Sequence, residues 1–103
     1  MCGAPAQDET LDRTLPASVD PATATVIQGR VVRNDEPVAA AYVRLLDSSG
    51  EFTAEVVTSA TGAFRFFAAP GSWTLRALSR HGNGDLTLDA TRGVNEVGLS
   101  VAA

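Results

Sequence analysis

The chain has 103 residues, with 12 acidic and 8 basic side chains and a formal net charge of -4 at pH 7. This acidic balance argues against a nucleic-acid or anionic-membrane surface, either of which needs a basic footprint. A chain this short predicts one domain, and its 45% hydrophobic content suffices for a core.

Cys2 is the single cysteine, so the sequence predicts no internal disulfide and no thiolate metal cluster. No apolar run reaches the roughly 18 residues of a membrane helix, and the first twenty residues lack the features of a signal peptide. We therefore expect a soluble protein of the reducing cytoplasm, with no cofactor and no membrane partner.

Residues 1–24 differ in composition from the rest of the chain. Prolines and apolar residues are scattered there without helical or strand period: Pro5, Pro16 and Pro21, and Leu11, Leu15 and Val19. The sequence therefore predicts a flexible N-terminal tail over residues 1–24, followed by one folded domain over residues 25–103.

From residue 25 onward, short β-branched and aromatic runs alternate with turn signals, a pattern typical of an all-β domain. Seven strands are predicted, over residues 25–33, 41–47, 52–59, 63–68, 72–79, 85–90 and 95–101. Two stacked sheets hide one face of every strand, so we expect a seven-stranded, antiparallel, Greek-key-like β-sandwich.

Period-2 alternation assigns the side chains to faces. The predicted core contains Ile27, Val31, Val43, Leu45, Val56, Phe64, Phe66, Trp73, Leu75, Ala77, Leu86, Leu88, Val97, Leu99 and Val101. Five apolar residues instead fall on the face expected to be wet: Tyr42, Leu46, Val57, Phe67 and Leu78. They mark a dimer or partner surface, unless the tail folds over them or the register is off by one.

The polar residues offer weaker candidates for chemistry. The single histidine, His81, lies in a predicted turn, and the acidic group Asp47, Glu51 and Glu55 lacks the spacing of a calcium loop, so neither predicts a catalytic or metal site. Four mid-strand arginines form either an anion-binding stripe or cross-strand ion pairs with Glu55 or Glu96: Arg30, Arg44, Arg65 and Arg76.

Several motifs in residues 25–79 are similar to those of carboxypeptidase regulatory-like domains, part of the transthyretin-like or prealbumin-like group. They are Ile27, Gly29 and Val31, then Pro37, then Ala41, Val43 and Leu45, then Thr61-Gly62 with Phe64 and Phe66, then Gly71 with Trp73 to Ala77. The resemblance implies a seven-stranded sandwich. The ureide hydrolases of that group use several histidines and a C-terminal tetrapeptide that this sequence lacks.

A narrower resemblance covers nearly the whole chain. LPASVD at 15–20, VRLLDSSGEFTAEVV at 43–57, SATG at 59–62 and FRFFAAPGSWTLRALS at 64–79 closely resemble the actinobacterial SseC-type family of unknown function. That family is usually encoded beside a rhodanese-like thiosulfate sulfurtransferase. The resemblance implies a non-catalytic accessory role in sulfur metabolism with this enzyme as partner, and it supplies no catalytic residues.

Cys2 is the candidate sulfur acceptor. Removal of Met1 would leave its thiol beside an α-ammonium group, and nearby positive charge favours the thiolate. Such a thiolate can hold sulfane sulfur as a persulfide. The alternatives are that Cys2 is an incidental thiol and that the protein is a generic β-sandwich interaction module without sulfur chemistry.

Overall fold

A computed structural model describes residues 24–102, which form strands joined by turns. The strands are β1 Thr25–Arg33, β2 Glu36–Pro37, β3 Tyr42–Leu46, β4 Phe52–Val57, β5 Ala63–Ala68, β6 Gly71–Ser79, β7 Gly82–Ala90 and β8 Gly93–Ser100. The prediction of seven strands was wrong by one. Asn34 and Asp35 both have positive φ, 52° and 67°, and this tight turn folds Glu36 and Pro37 back onto β1 as an extra two-residue strand.

The strands form two stacked sheets, which confirms the predicted β-sandwich. One sheet has the order β4-β3-β6-β7, with every neighbour antiparallel. In the other, β1 is central, with β5 antiparallel on one side and β8 on the opposite side. A wholly antiparallel pairing was the wrong expectation, because β8 runs parallel to β1. No hairpin fixes the direction of β8, since its chain crosses over from β7 in the other sheet.

Two glycines let β8 pack against its neighbours. A Cβ atom at Gly29 would overlap the carbonyl oxygen of Val97, and one at Gly84 would overlap that of Ser100. Just beyond β8, Asn83 and Ala102 exchange backbone hydrogen bonds of 3.2 and 3.1 Å, which link the edges of the two sheets. Because glycine has no side chain at these two positions, β8 can approach both β1 and β7 closely.

The core lies between the sheets and contains the predicted side chains. Trp73, Leu86, Leu88 and Val97 are only partly buried, and Val38, Ala41 and Ala90 join the cluster in addition. Because this core uses the inner faces of both sheets, their outer faces are left for other contacts. Within residues 24–102, no helix has the length and apolar character needed to cross a membrane.

A buried hydroxyl holds the connection that enters β3. Thr58, only 4% exposed, accepts a hydrogen bond on Oγ1 from the Ala41 N–H at 2.9 Å and donates one to the Val38 carbonyl at 2.8 Å. Between these partners, Ala40 adopts a left-handed conformation with φ of 57°. The hydroxyl therefore fixes the start of β3 against the end of β4.

Candidate interaction surfaces

The outer face of the β4-β3-β6-β7 sheet carries a row of apolar side chains. Tyr42 on β3 is in register with Val57 on β4 and with Leu78 on β6, so these predicted residues lie side by side. Tyr42 is 47% exposed and its two neighbours are half-buried. We name these residues the Tyr42 row. An exposed aromatic flanked by aliphatic side chains is a typical anchor of a protein interface.

A charged row runs beside the Tyr42 row across all strands of the same sheet. Its members are, in order across the sheet, Glu55, Arg44, Arg76 and Asp85. Arg44 Nε lies 2.7 Å from Glu55 Oε2, and Arg76 Nε lies 3.2 Å from Asp85 Oδ1. Exposed ion pairs of this kind contribute at most about 1 kcal/mol to stability. Their effect here is to balance both guanidinium charges, so this face carries no net positive stripe.

Leu46 does not belong to the exposed surface on which it was predicted. It is buried at 7% exposure, and the β3–β4 register shifts directly after Leu45. Leu45 is opposite Ala54 and Leu46 is opposite Phe52, so the residue between those two partners is bulged out of the pairing. The bulge interrupts period-2 alternation along β4, whereas β3 keeps its regular register with β6.

Phe67, the fifth predicted residue, lies on the other sheet. It is 55% exposed on β5, in register with Val26 of β1, which is in turn in register with Val94 of β8. We name Phe67, Val26 and Val94 the Val26 row. Val94 and Phe52 are also exposed, and neither of them was assigned to the outer surface from the sequence. Each was placed at or beyond the end of a predicted strand. Val94 nevertheless alternates with Glu96, as an outward-facing residue should.

Polar side chains follow the Val26 row on the outer face of that sheet. Arg65 Nε donates to Gln28 Oε1 at 2.8 Å, and Gln28 Nε2 donates to Glu96 Oε1 at 2.8 Å. Arg65 was expected to point into solvent, yet it is only 8% exposed. Arg30 and Arg65 lie on this sheet and Arg44 and Arg76 on the other, so the four arginines do not form one stripe.

The other polar residues considered as candidates for chemistry lie in turns. His81 lies between β6 and β7, where its backbone N–H donates to Ser79 Oγ at 3.1 Å. Asp47 Oδ1 accepts from the Ser49 hydroxyl at 2.6 Å and from the N–H groups of Ser49 and Glu51, and these bonds lower the pKa of Asp47, the Ser49 hydroxyl most. Among residues 24–102, no cluster of His, Cys, Asp and Glu could hold a metal ion. Cys2 lies outside the described residues.

An open apolar cleft lies at the end of the sandwich where β1 begins. It has a volume of about 520 Å³, and its lining includes Ala24, Leu45, Phe67 and Trp73. The indole Nε1 of Trp73 donates to the Ala69 carbonyl at 2.8 Å, so its polar atom is already used within the chain. This cleft adjoins the Val26 row through Phe67, and its lining within residues 24–102 includes no charged side chain.

Comparison with known proteins finds close relatives. The family described as "Protein of unknown function (DUF1416)" matches residues 2–101. Two uncharacterized proteins of Mycobacterium tuberculosis, Rv0814c and Rv3118, are each 60% identical over 103 residues, covering 98% of this chain and 99% of theirs. A Mycolicibacterium smegmatis protein is 60% identical over 90 residues, covering 85% of this chain and 100% of its own.

Two solved structures are similar in fold. A DUF3823 family protein from Parabacteroides merdae aligns with a TM-score of 0.60 at 21% identity, over 79% of this chain and 47% of that one. Catechol 1,2-dioxygenase from Pseudomonas arvilla C-1 aligns with a TM-score of 0.54 at 15% identity, over 97% of this chain and 59% of that one. The chain thus spans about half the length of these structures, and such identities show the sandwich fold alone.

Proposed function

The chain belongs to this family of unknown function, DUF1416, and we propose that it is a non-catalytic accessory protein of sulfur metabolism that docks on a rhodanese-like thiosulfate sulfurtransferase. The observation that carries the binding role is the Tyr42 row, an apolar strip on a rigid sheet face beside charges that are already balanced. The choice of partner is supported by the sequence resemblance to SseC-type proteins.

A binding role fits the described residues better than catalysis does. His81, the only histidine, stands in a turn where the bond at its backbone is to Ser79, and no orienting acid is bonded to its ring among residues 24–102. Nucleophilic catalysis needs a nucleophile, a base and an orienting group in mutual hydrogen-bond reach. With a single cysteine and hence no internal disulfide, we place the protein in the reducing cytoplasm.

The proposal includes a chemical role for Cys2 as an acceptor of sulfane sulfur. Its thiolate would attack the outer sulfur of a persulfide carried by the sulfurtransferase. One S–S bond forms on Cys2 as the bond within the enzyme's persulfide breaks, and the electron pair leaves on the enzyme's own cysteine thiolate. The exchange needs no oxidant or reductant, because one thiolate and one persulfide are present on each side of it.

Binding is tested with the full-length chain and a rhodanese-like sulfurtransferase, by titration calorimetry of wild type and two matched variants. Tyr42→Ser removes the aromatic anchor and should weaken binding by about tenfold or more, because exposed aromatics dominate such interfaces. Phe67→Ser removes an equally exposed aromatic from the other sheet and should leave the affinity within about twofold. Equal losses in the two variants, or no binding by wild type, would contradict docking through the Tyr42 row.

Sulfur transfer is tested separately by intact-mass spectrometry. Incubation with the sulfurtransferase and thiosulfate should add the mass of one sulfur atom to wild type and none to Cys2→Ser. An unmodified mass during turnover would eliminate the acceptor role. If the sulfurtransferase binds under those conditions, docking survives without sulfur transfer, and the protein is then an interaction module as the alternative interpretation holds.

A further inference from the structure

The start of β7 carries the one Asn-Gly pair of the sequence, Asn83-Gly84. In such a dipeptide the glycine nitrogen can attack the asparagine side chain, because glycine has no side chain to hinder the approach. Asn83 is exposed and in register with Leu78, so its side chain lies on the outer face at the end of the Tyr42 row. The side-chain amide is therefore in contact with water, which its conversion to a carboxylate consumes.

Packing of the strands requires the glycine of this pair. A Cβ atom at Gly84 would overlap the carbonyl oxygen of Ser100, near the end of β8. Any other residue would push β7 away from β8, at a cost typical of overpacking. The fold thus keeps a reactive dipeptide at a position where its glycine cannot be replaced without a shift of the backbone.

Backbone hydrogen bonds hold the dipeptide in an unreactive, extended form. The Asn83 N–H donates to the Ala102 carbonyl at 3.2 Å, and the Asn83 carbonyl accepts from the Ala102 N–H at 3.1 Å. Successive strand residues direct their backbone groups to opposite sides, so Gly84 directs its N–H toward β6, where it is in register with Ala77. A nitrogen held there neither gives up its proton nor reaches the Asn83 side chain.

We propose that Asn83-Gly84 is a site of spontaneous deamidation, and that it reacts only in molecules in which the start of β7 is open. Base removes the Gly84 N–H proton, the nitrogen bonds to Asn83 Cγ, and the side-chain nitrogen takes up a proton and leaves as ammonia. Water then adds to either carbonyl of the resulting succinimide ring, and the C–N bond at that carbonyl breaks. The product is aspartate or isoaspartate at position 83, and no oxidant or reductant is consumed.

The closing bonds lie where local opening is easiest. Asn83 is the second residue of β7, beside the β6–β7 turn, and Ala102 lies beyond the last strand of the described residues. The two bonds between them are longer than the usual N–H···O distance of about 2.9 to 3.0 Å. Strand ends and terminal segments open at lower free energy than strand centres. Loss of the Ala102 bridge frees one side of the dipeptide, and fraying of the turn frees the other.

The modification changes both the charge and the backbone of this region. Either product places a new carboxylate in register with Leu78 and on the same face as Asp85, two residues along β7. Isoaspartate also lengthens the backbone by one methylene group, which displaces Gly84 from its close contact with Ser100. Hydrolysis of the ring does not restore the amide, so the acidic form accumulates with the age of the molecule.

Peptide mapping of the full-length protein after incubation at mildly alkaline pH measures the reaction. Trypsin releases residues 81–92, in which Asn83 is the only side-chain amide, so the change in mass from amide to acid identifies the site. A synthetic peptide of residues 81–92 gives the rate without the fold, and backbone hydrogen exchange gives the protection of the Gly84 N–H. Deamidation should be slower in the protein than in the peptide by about the same factor as Gly84 exchange, on the order of a hundredfold, because both reactions need the same opening.

Two results of this comparison would overturn the proposal. Equal deamidation rates in protein and peptide would show that the fold does not limit the reaction. A segment 81–92 that stays unmodified for much longer than the measured Gly84 exchange permits would show that Asn83 is not a deamidation site in the folded protein. No sulfurtransferase enters these measurements, so their outcome is independent of the binding and sulfur-transfer tests.

Two variants at position 102 test the bridge itself. Ala102→Pro removes the N–H that the Asn83 carbonyl accepts, and it should accelerate deamidation by about fivefold, the factor that corresponds to one backbone hydrogen bond. Ala102→Ser keeps this N–H and should leave the rate unchanged. Equal rates in the two variants would contradict the role of the bridge. Trp73 fluorescence checks that both variants stay folded, and if Ala102→Pro unfolds, the comparison of wild type with the peptide decides.

Discussion

Replacing Thr58 by Val should destabilise the protein by about 2 to 4 kcal/mol, although the two side chains have nearly the same shape. The Thr58 hydroxyl bonds both the Ala41 N–H and the Val38 carbonyl, and all three residues are buried. The substitution leaves the Ala41 N–H without that partner, which costs about 1 to 3 kcal/mol, and losing the bond to Val38 adds about 1 kcal/mol. The packing volume is kept, so no cavity is created.

Urea unfolding followed by the fluorescence of Trp73, the only tryptophan, measures the effect. The free energy of unfolding should fall while its dependence on urea concentration stays constant, because the surface exposed on unfolding is unchanged. Thr58→Ser is the matched control. It keeps the hydroxyl, loses one methyl group, and should cost about 1 kcal/mol.

A free energy of unfolding for Thr58→Val within about 0.5 kcal/mol of wild type, or a larger loss in Thr58→Ser, would contradict this role of the hydroxyl. The same hydroxyl also supports the Tyr42 row, the surface proposed to bind the sulfurtransferase. Thr58 follows Val57 directly and holds Ala41, the residue before Tyr42. In Thr58→Val, backbone hydrogen exchange should therefore accelerate more at the start of β3 than at the β6–β7 turn.

Three other substitutions test separate features by the same urea method. Gly29→Ala should cost about 3 kcal/mol or more, because its Cβ would overlap the Val97 carbonyl; an unchanged midpoint would contradict the close approach. Ala40→Gly should stabilise by about 1 kcal/mol, because glycine removes the steric cost of φ 57°, and a loss of stability would refute this. Folding lowers the pKa of Asp47, so its contribution is full above the ordinary carboxyl pKa and is lost as pH falls through the lowered value. Asp47→Asn should therefore be less stable than wild type at pH 7, with a difference that shrinks by pH 3; a difference independent of pH would show that ionisation is not involved.

Features that depend on nearby residues were predictable from the sequence. Strand β5 begins after the Thr61-Gly62 turn and ends before Pro70, and its core residues Phe64 and Phe66 follow simple alternation. These signals are local, because turn residues and a period of two specify a strand wherever it pairs.

Features set by pairing over long separations were not predictable in the same way. The bulge on β4 opposite Leu46 arises from the match between β3 and β4, and the parallel direction of β8 arises from its meeting with β1. The burial of Arg65 depends on contacts with neighbouring strands, such as its bond to Gln28, which no alternation pattern encodes. The members of the Tyr42 row were predictable as outward-facing residues, but their position side by side was not. Strand register decides which outward side chains become neighbours.

The pairing of β1 with β8 has a consequence for synthesis of the protein on the ribosome. Thr25 is opposite Gly93 and Val32 is opposite Ser100, so β1 waits for β8, the last strand of the described residues, before its second edge is covered. Until then the nascent chain presents an open edge of the central strand of that sheet, a template for pairing with other chains. The sandwich is therefore completed only after release of the C-terminal strand from the exit tunnel, and a chain stalled before Gly93 is the form most exposed to aggregation.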